Sequence, residues 1–145
     1  FEKDNVFLKR MKKITFVRLK LSKTNHLLCK ARLNGTAAVL LIDTGASSSC
    51  IHSALQEQFN LEINGKSFDA AGAGEGKMKA TQTKKCALHL GRHRMEGLAF
   101  VLLDLTHVNQ TLLTQGAHPV DGILGADFFI QNKVVIDYGK RKLIL

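Results

Sequence analysis

The chain has 145 residues, 45% of them hydrophobic, which suffices for one core of ordinary size and is too short for two domains that each bury much apolar surface. Its formal charge of +9 is heavy in the opening stretch "FEKDNVFLKRMKK", yet aromatic residues do not alternate with the basic ones as a single-strand nucleic-acid platform requires, so the charge reads as a solvated face and no nucleic-acid partner is expected. No apolar run reaches membrane-spanning length, and Cys29, Cys50 and Cys86, an odd number without C-x-x-C spacing, fit neither a disulfide framework nor a zinc ribbon; they read as buried free thiols and lean towards a cytoplasmic setting.

Residues 1–13 read as a basic N-terminal extension, whose role as propeptide, linker or dimer contact stays open, and residues 14–145 as a single domain. "ITFVRLKLS" (14–22) places Val17, Leu19 and Leu21 on one face at period two, and with "HLLCKARLN" across the turn-rich "SKTN" it predicts a hairpin. Asn34-Gly35 is the strongest hairpin signal of the chain and leads into the strand "TAAVLLI". "SALQEQFN" (53–60), with Ser53 at a plausible N-cap and Leu55 and Phe59 four apart, predicts a short helix. "KCALHLG" and "MEGLAFVLLDL" predict strands joined at "GRHR", and "THVNQTLLTQGAHP" (106–119) reads as a loop. "VDGILG" predicts a short buried strand, "ADFFIQN" a helical turn or two, and "KVVIDYGKRKLIL" a final hairpin turning at Gly139-Lys140. The class is mainly β with two small helices.

The chemistry concentrates in "LLIDTGASSSC" (40–50). A strand apolar on both faces, Val39 to Ile42, belongs at the centre of a sheet, and it delivers Asp43 to a turn of small residues. A carboxylate led out of such a strand is costly unless partnered. Backbone N–H groups of Gly45 and Ala46 are placed to point back at it, and Thr44 adds a hydroxyl beneath the turn. The plain alternative is an ordinary strand-end Asx turn.

"LLIDTGA" followed about eighty residues later by "DGILGADFF", with a glycine-rich hairpin between them and a closing "VVIDYGKRKLIL", resembles the retropepsin-like aspartic peptidases, the retroviral-type single-lobe family with cellular and bacterial relatives. The likeness runs from about Ile14 to Leu145. It implies a closed β-barrel lobe of the acid-protease fold with one or two short helices, acting as a homodimer on an extended peptide and calling on no cofactor or metal. Asp43, Thr44 and Gly45 take the catalytic positions. Ile123, Leu124 and Gly125 support the turn from a strand passing beside it, where glycine permits close approach. Ala46 and the flap residues Ala71, Gly72, Ala73, Gly74, Glu75 and Gly76 meet the substrate.

Peptide hydrolysis of this type needs two carboxylates sharing a proton, one acting as base on a water while the other polarises the carbonyl. Only one D-T-G occurs here, so the resemblance implies that the second Asp43 comes from a symmetry mate. Asp121 is a rival internal partner but lacks the Thr-Gly turn. The stretch "DAAGAGEGKMKA" fails as a phosphate loop, because Ala71 replaces its first glycine and Met78 the Ser or Thr that meets magnesium. It also departs from pepsin-like relatives in lacking a flap tyrosine, Tyr138 being the only tyrosine of the chain. Ala46 stands where those relatives carry Ser, which implies a less acidic, mildly acidic optimum. His89 and His93 read as a surface turn, and Cys50 as structural. Two other readings remain: a catalytically silent peptide-binding or dimerisation module on the same fold, and a basic nucleic-acid binder.

Overall fold

The computed structural model describes residues 15–71 and 77–145. The strands are β1 (Phe16–Arg18), β2 (Lys20–Leu21), β3 (Leu27–Leu33), β4 (Thr36–Ile42), β5 (Cys50–His52), β6 (Ile63–Ala71), β7 (Lys77–Thr83), β8 (Cys86–Leu90), β9 (His93–Leu98), β10 (Val101–Leu103), β11 (Gly122–Leu124), β12 (Val135–Asp137) and β13 (Lys142–Ile144). The helices are α1 (Thr106–Thr114) and α2 (Ala126–Gln131). A curled ten-stranded sheet runs β6-β7-β10-β5-β11-β4-β3-β8-β9, with β2 joined to β3, and a separate three-stranded sheet runs β1-β13-β12. The expected closed barrel is thus an open one, with no ladder joining β6 to β9 among the described residues.

β4 lies where its composition requires, between β3 and β11, and Ala38, Leu40, Leu41 and Ile42 are buried. One side of the large sheet builds the main core, in which Phe59, Phe100 and Phe128 are wholly buried and Val17 and Leu143 arrive from the small sheet. Truncating any of these three rings to Ala is worth about 3–5 kcal/mol. A smaller cluster, Leu41 with Leu112, Ala117 and Val120, seats α1 on the opposite side. The Asn34-Gly35 turn has φ of 48° and 84°, which suits two-residue hairpins with right-handed strand twist. The Asn34 amide also donates to the carbonyls of Phe59 (2.9 Å) and Asn60 (3.1 Å) and accepts from Ala87 N–H (3.0 Å), tying three segments together.

Several local expectations changed on folding. The first hairpin survives only as Lys20–Leu21 against β3, because Phe16–Arg18 pairs instead with β13. Its apolar face is as read, with Val17 and Leu19 buried. Residues 53–60 form a 3-10 turn at Ser53–Leu55 and further turns, and Ser53 is not a side-chain cap. Residues 95–105 split into β9 and β10, which pair at different places in the sheet. Residues 106–114 are helical although Thr, His, Val and Asn are weak helix formers. Asp104 starts this helix by accepting the Thr106 N–H (2.9 Å) and hydroxyl, and these bonds hold its carboxyl below the usual carboxylate range. Asn109 then brackets Val120, donating to its carbonyl (3.1 Å) and accepting its N–H (2.8 Å).

Candidate active site

Because β4 and β11 are parallel, with Gly122 opposite Leu40 and Leu124 opposite Ile42, both leave the sheet at the same level. Asp43 N–H donates to the Leu124 carbonyl (3.0 Å), so Leu124 pins the base of the turn. Gly45 N–H donates to Asp43 Oδ1 at 2.9 Å. Ala46 N–H was expected to do the same but goes to the Asp43 backbone carbonyl (3.2 Å), closing the turn and leaving the other carboxylate oxygen to the surroundings. A Cβ at Gly45 would stand 3.2 Å from Asp43 Oδ1, so proximity to the carboxylate, not an unusual φ, favours glycine there. Asp43 and Ala46 are half-buried, and Thr44 and Gly45 are exposed. The strand is central, as its composition requires, but the turn at its end lies on the protomer surface.

Behind the turn, the loop and α2 satisfy each other. The first N–H groups of α2 lack intrahelical acceptors. Ala126 N–H finds the Ala46 carbonyl at 2.7 Å and Asp127 N–H the Ser47 carbonyl at 3.2 Å. In return the Asp127 carboxylate accepts from Ser49 N–H (3.0 Å), Ser49 Oγ (2.7 Å) and Phe128 N–H (2.8 Å), and Ser49 Oγ accepts from Gly125 N–H (2.9 Å). Glycine is required twice by close approach: a Cβ at Gly125 would lie 2.5 Å from the Ala46 carbonyl, and one at Gly122 would lie 2.4 Å from that of Cys50. Gly125 was legible in the sequence. Ser49, Gly122 and Asp127 were not singled out, although an acidic residue in the first turn of a helix is a signal that could have found Asp127.

Ile123 is half-buried beside Cys50 in the antiparallel pairing of β11 with β5. Burial pushes the Cys50 thiol up to about 11, with the Asp43 and Asp127 charges adding to the effect and a backbone hydrogen bond at Ile123 opposing it. Its neighbour His52 is engaged elsewhere, Nδ1 accepting from Leu105 N–H at 3.1 Å, so no Cys-His couple forms. Cys29 and Cys86 are likewise buried and free, pushed by burial up to about 12 and 11. Asp121 is no partner for Asp43. Its Oδ2 accepts from Val39 N–H (2.8 Å), four residues back along β4, which is about 13 Å of strand. His93 stands opposite Leu90 and His89 opposite Arg94, so the two imidazoles leave opposite faces of the sheet and do not converge.

β6 and β7 form the hairpin expected to carry the flap, Ala71 pairing with Lys77. Gly72, Ala73, Gly74, Glu75 and Gly76 lie outside the described residues.

Residues 29–128 match the family model described as aspartyl protease. Among solved structures, the fold is similar to a retropepsin-like aspartic protease from Rickettsia conorii, with TM-score 0.57 and 15% identity over 92% of this chain and 91% of that one. It is also similar to the retroviral protease-like domain of Ddi1 from Leishmania major, with TM-score 0.54 and 15% identity over 77% of this chain and 81% of that one. At such identity the likeness is one of fold. No curated protein matches the sequence.

Proposed function

From a chain that belongs to the aspartyl protease family, we propose an endopeptidase that works as a homodimer, each protomer contributing Asp43 to a pair of carboxylates that activate one water. The observation that carries this reading is the placement of Asp43: a half-buried carboxylate on an exposed Thr44-Gly45 turn, held at one oxygen by Gly45 N–H. Two such turns meeting across a two-fold axis would share one proton. The ionised Asp43 takes a proton from the water as it attacks the peptide carbonyl, and the protonated one donates a hydrogen bond to the carbonyl oxygen. Thr44 and Gly45 support the pair, Ile123, Leu124 and Gly125 hold the turn from behind, Ala46 meets the extended peptide, and residues 71–76 gate the cleft. The substituent at Ala46 favours a mildly acidic optimum.

The terminal sheet supports the dimer. Phe16, Ile144 and Val135 stand opposite one another across β1, β13 and β12, with Phe16 41% and Val135 56% exposed, while Val17 and Leu143 on the other face are buried. β13 is already paired on both sides, so a partner would meet this sheet at that apolar row or at the outer edges of β1 and β12.

Wild type and Asp43→Asn should be compared on a mixed peptide library by mass spectrometry, across pH and at a concentration where sedimentation reports dimer. The expected result is a set of cuts, fastest at mildly acidic pH, reduced about 10²–10⁴-fold or more in the variant. A proven dimer that cuts nothing would leave a peptide-binding module, and an optimum below about pH 3 would overturn the role given to Ala46.

A further inference from the structure

The outer face of the large sheet is divided in two. Nearest Asp43 it is covered, with Leu41 under α1 and Leu28, its direct partner on β3, packed against the same cluster. Farther from the turn the cover stops and cations replace apolar side chains. Lys30 stands opposite Val39; Arg32 stands opposite Ala37 on one side and His89 on the other, and His89 stands opposite Arg94. Directly paired residues of antiparallel strands share a face. Arg32, His89 and Arg94 therefore form one row across three strands, with Lys30 in the next row.

Lys30, Arg32 and Arg94 are exposed, and none has an ion-pair partner among the described residues, where the pair found is Lys84 with Glu62. His89 Nδ1 is buried without a hydrogen-bond partner. Alongside runs a groove of about 380 Å³ lined by Lys30, Arg32, Ala37, Val39, Gly91 and Asp121. The Asp121 carboxylate in that lining accepts from Val39 N–H at one oxygen, Oδ2, and is the one negative charge of the groove wall.

We infer that this face is a docking site for an acidic, extended polypeptide segment, carried by a protein substrate outside the stretch that is cut. The description as substrate rests on the peptidase reading, whereas the binding does not require Asp43. Neighbouring strands are about 4.8 Å apart, which puts Arg32 and Arg94 about 10 Å from each other, and same-side residues of an extended peptide repeat about every 7 Å. Two or three carboxylates on one side of such a peptide can therefore meet Lys30, Arg32 and Arg94 together, while Ala37, Ala87 and Gly91 leave room for its backbone. Neither row contains Phe, Tyr or Trp, so the face offers no aromatic platform on which nucleic-acid bases could stack. Along β4, Lys30 and Arg32 lie level with positions four and six residues before Asp43, or about 13–20 Å, a distance that four to six extended residues span.

The test is fluorescence anisotropy with a labelled peptide carrying six Glu separated by Gly and Ser, its Gln counterpart, and a single-stranded RNA of equal charge. The Glu peptide is expected to bind wild type and Asp43→Asn equally. Its binding should weaken at least about tenfold in Lys30→Glu/Arg32→Glu, and by a similar factor when salt rises from about 50 to 300 mM. Arg94→Glu, on a different strand, should weaken it in the same direction. All three side chains are exposed, so thermal melts of the variants should match wild type. Equal binding of the Glu and Gln peptides, or Glu-peptide binding untouched by the reversals, would overturn the inference. RNA binding more tightly than the Glu peptide with the same sensitivity to the reversals would also overturn it, in favour of a nucleic-acid site. Absent cleavage with intact, reversal-sensitive peptide binding would reject the peptidase and leave the docking site standing.

Discussion

Behind Asp43 the backbone N–H groups that open α2 and the Ser49 hydroxyl are satisfied within one protomer, whereas the three-stranded terminal sheet carries an apolar row in which Phe16 and Val135 are exposed and Ile144 is half-buried. The first region is built from close backbone approaches and a half-buried carboxylate-hydroxyl network, in which Ser49 is wholly buried and its N–H is shared by both Asp127 oxygens. The second is an ordinary amphipathic sheet, with Lys142 placing its ammonium 4.1 Å over the exposed Phe16 ring. The contrast teaches where each kind of damage should register: the turn frame in the stability and geometry of a protomer, the terminal sheet in association.

Gly122→Ala should break the frame most severely. Its Cβ would fall 2.4 Å from the Cys50 carbonyl and 2.5 Å from Ile51 Cδ1, with the wholly buried Leu40 side chain 3.1 Å away on the neighbouring strand. The expected loss is about 3 kcal/mol, seen as a lower urea midpoint at unchanged slope. A midpoint within error of wild type would mean that β5 and β11 slide apart more easily than the geometry allows.

Asp127→Ala removes the acceptor of Ser49 N–H and Ser49 Oγ and strands these buried donors, while Phe128 N–H keeps the Gly125 carbonyl. It should cost about 2–3 kcal/mol. Because the loop it holds continues into the Asp43 turn, cleavage should fall in kcat more than KM rises. Asp127→Asn, which keeps an acceptor, should recover part of both. If the two substitutions behave alike, the charge is what matters and the network is not a positioning device.

The smallest effect on the protomer and a clear one on assembly is expected from Phe16→Ser combined with Val135→Ser. Both side chains are exposed, so protomer stability should move by only about 0.5 kcal/mol. The proposed dimer should dissociate about tenfold more readily by sedimentation, since removing two such apolar side chains from an interface is worth roughly 1–3 kcal/mol. Unchanged association would place the dimer contact elsewhere and remove the contrast between the regions.

Much of the local geometry of the candidate site was legible before folding because its signals are local. An aliphatic strand, a turn at Asp43-Thr44-Gly45 and a glycine in close approach after Ile123-Leu124 each announce their placement through composition over a few residues. The hairpin at Asn34-Gly35 and the closing hairpin at Gly139-Lys140 were legible for the same reason, the turn chemistry being contained in the turn. The helix at 106–114 was not, because its residues are weak helix formers and its seat includes Leu41, far away in sequence. Nor was the 3-10 turn at Ser53–Leu55 legible, since a plausible cap and a spacing of four do not make a helix where Phe59 must be wholly buried within a few residues.

The sequence by itself determined that a central strand ends on Asp43 and that the chain carries one such Asp-Thr-Gly turn, because hydrophobic run length and turn residues act over neighbouring positions. Only the tertiary structure decided that β11 runs parallel to β4, that Asp127 reaches back to Ser49, and that Phe16–Arg18 leaves its expected hairpin for β13. Those are choices among long-range pairings whose local propensities are nearly equal, and packing against the rest of the molecule settles them.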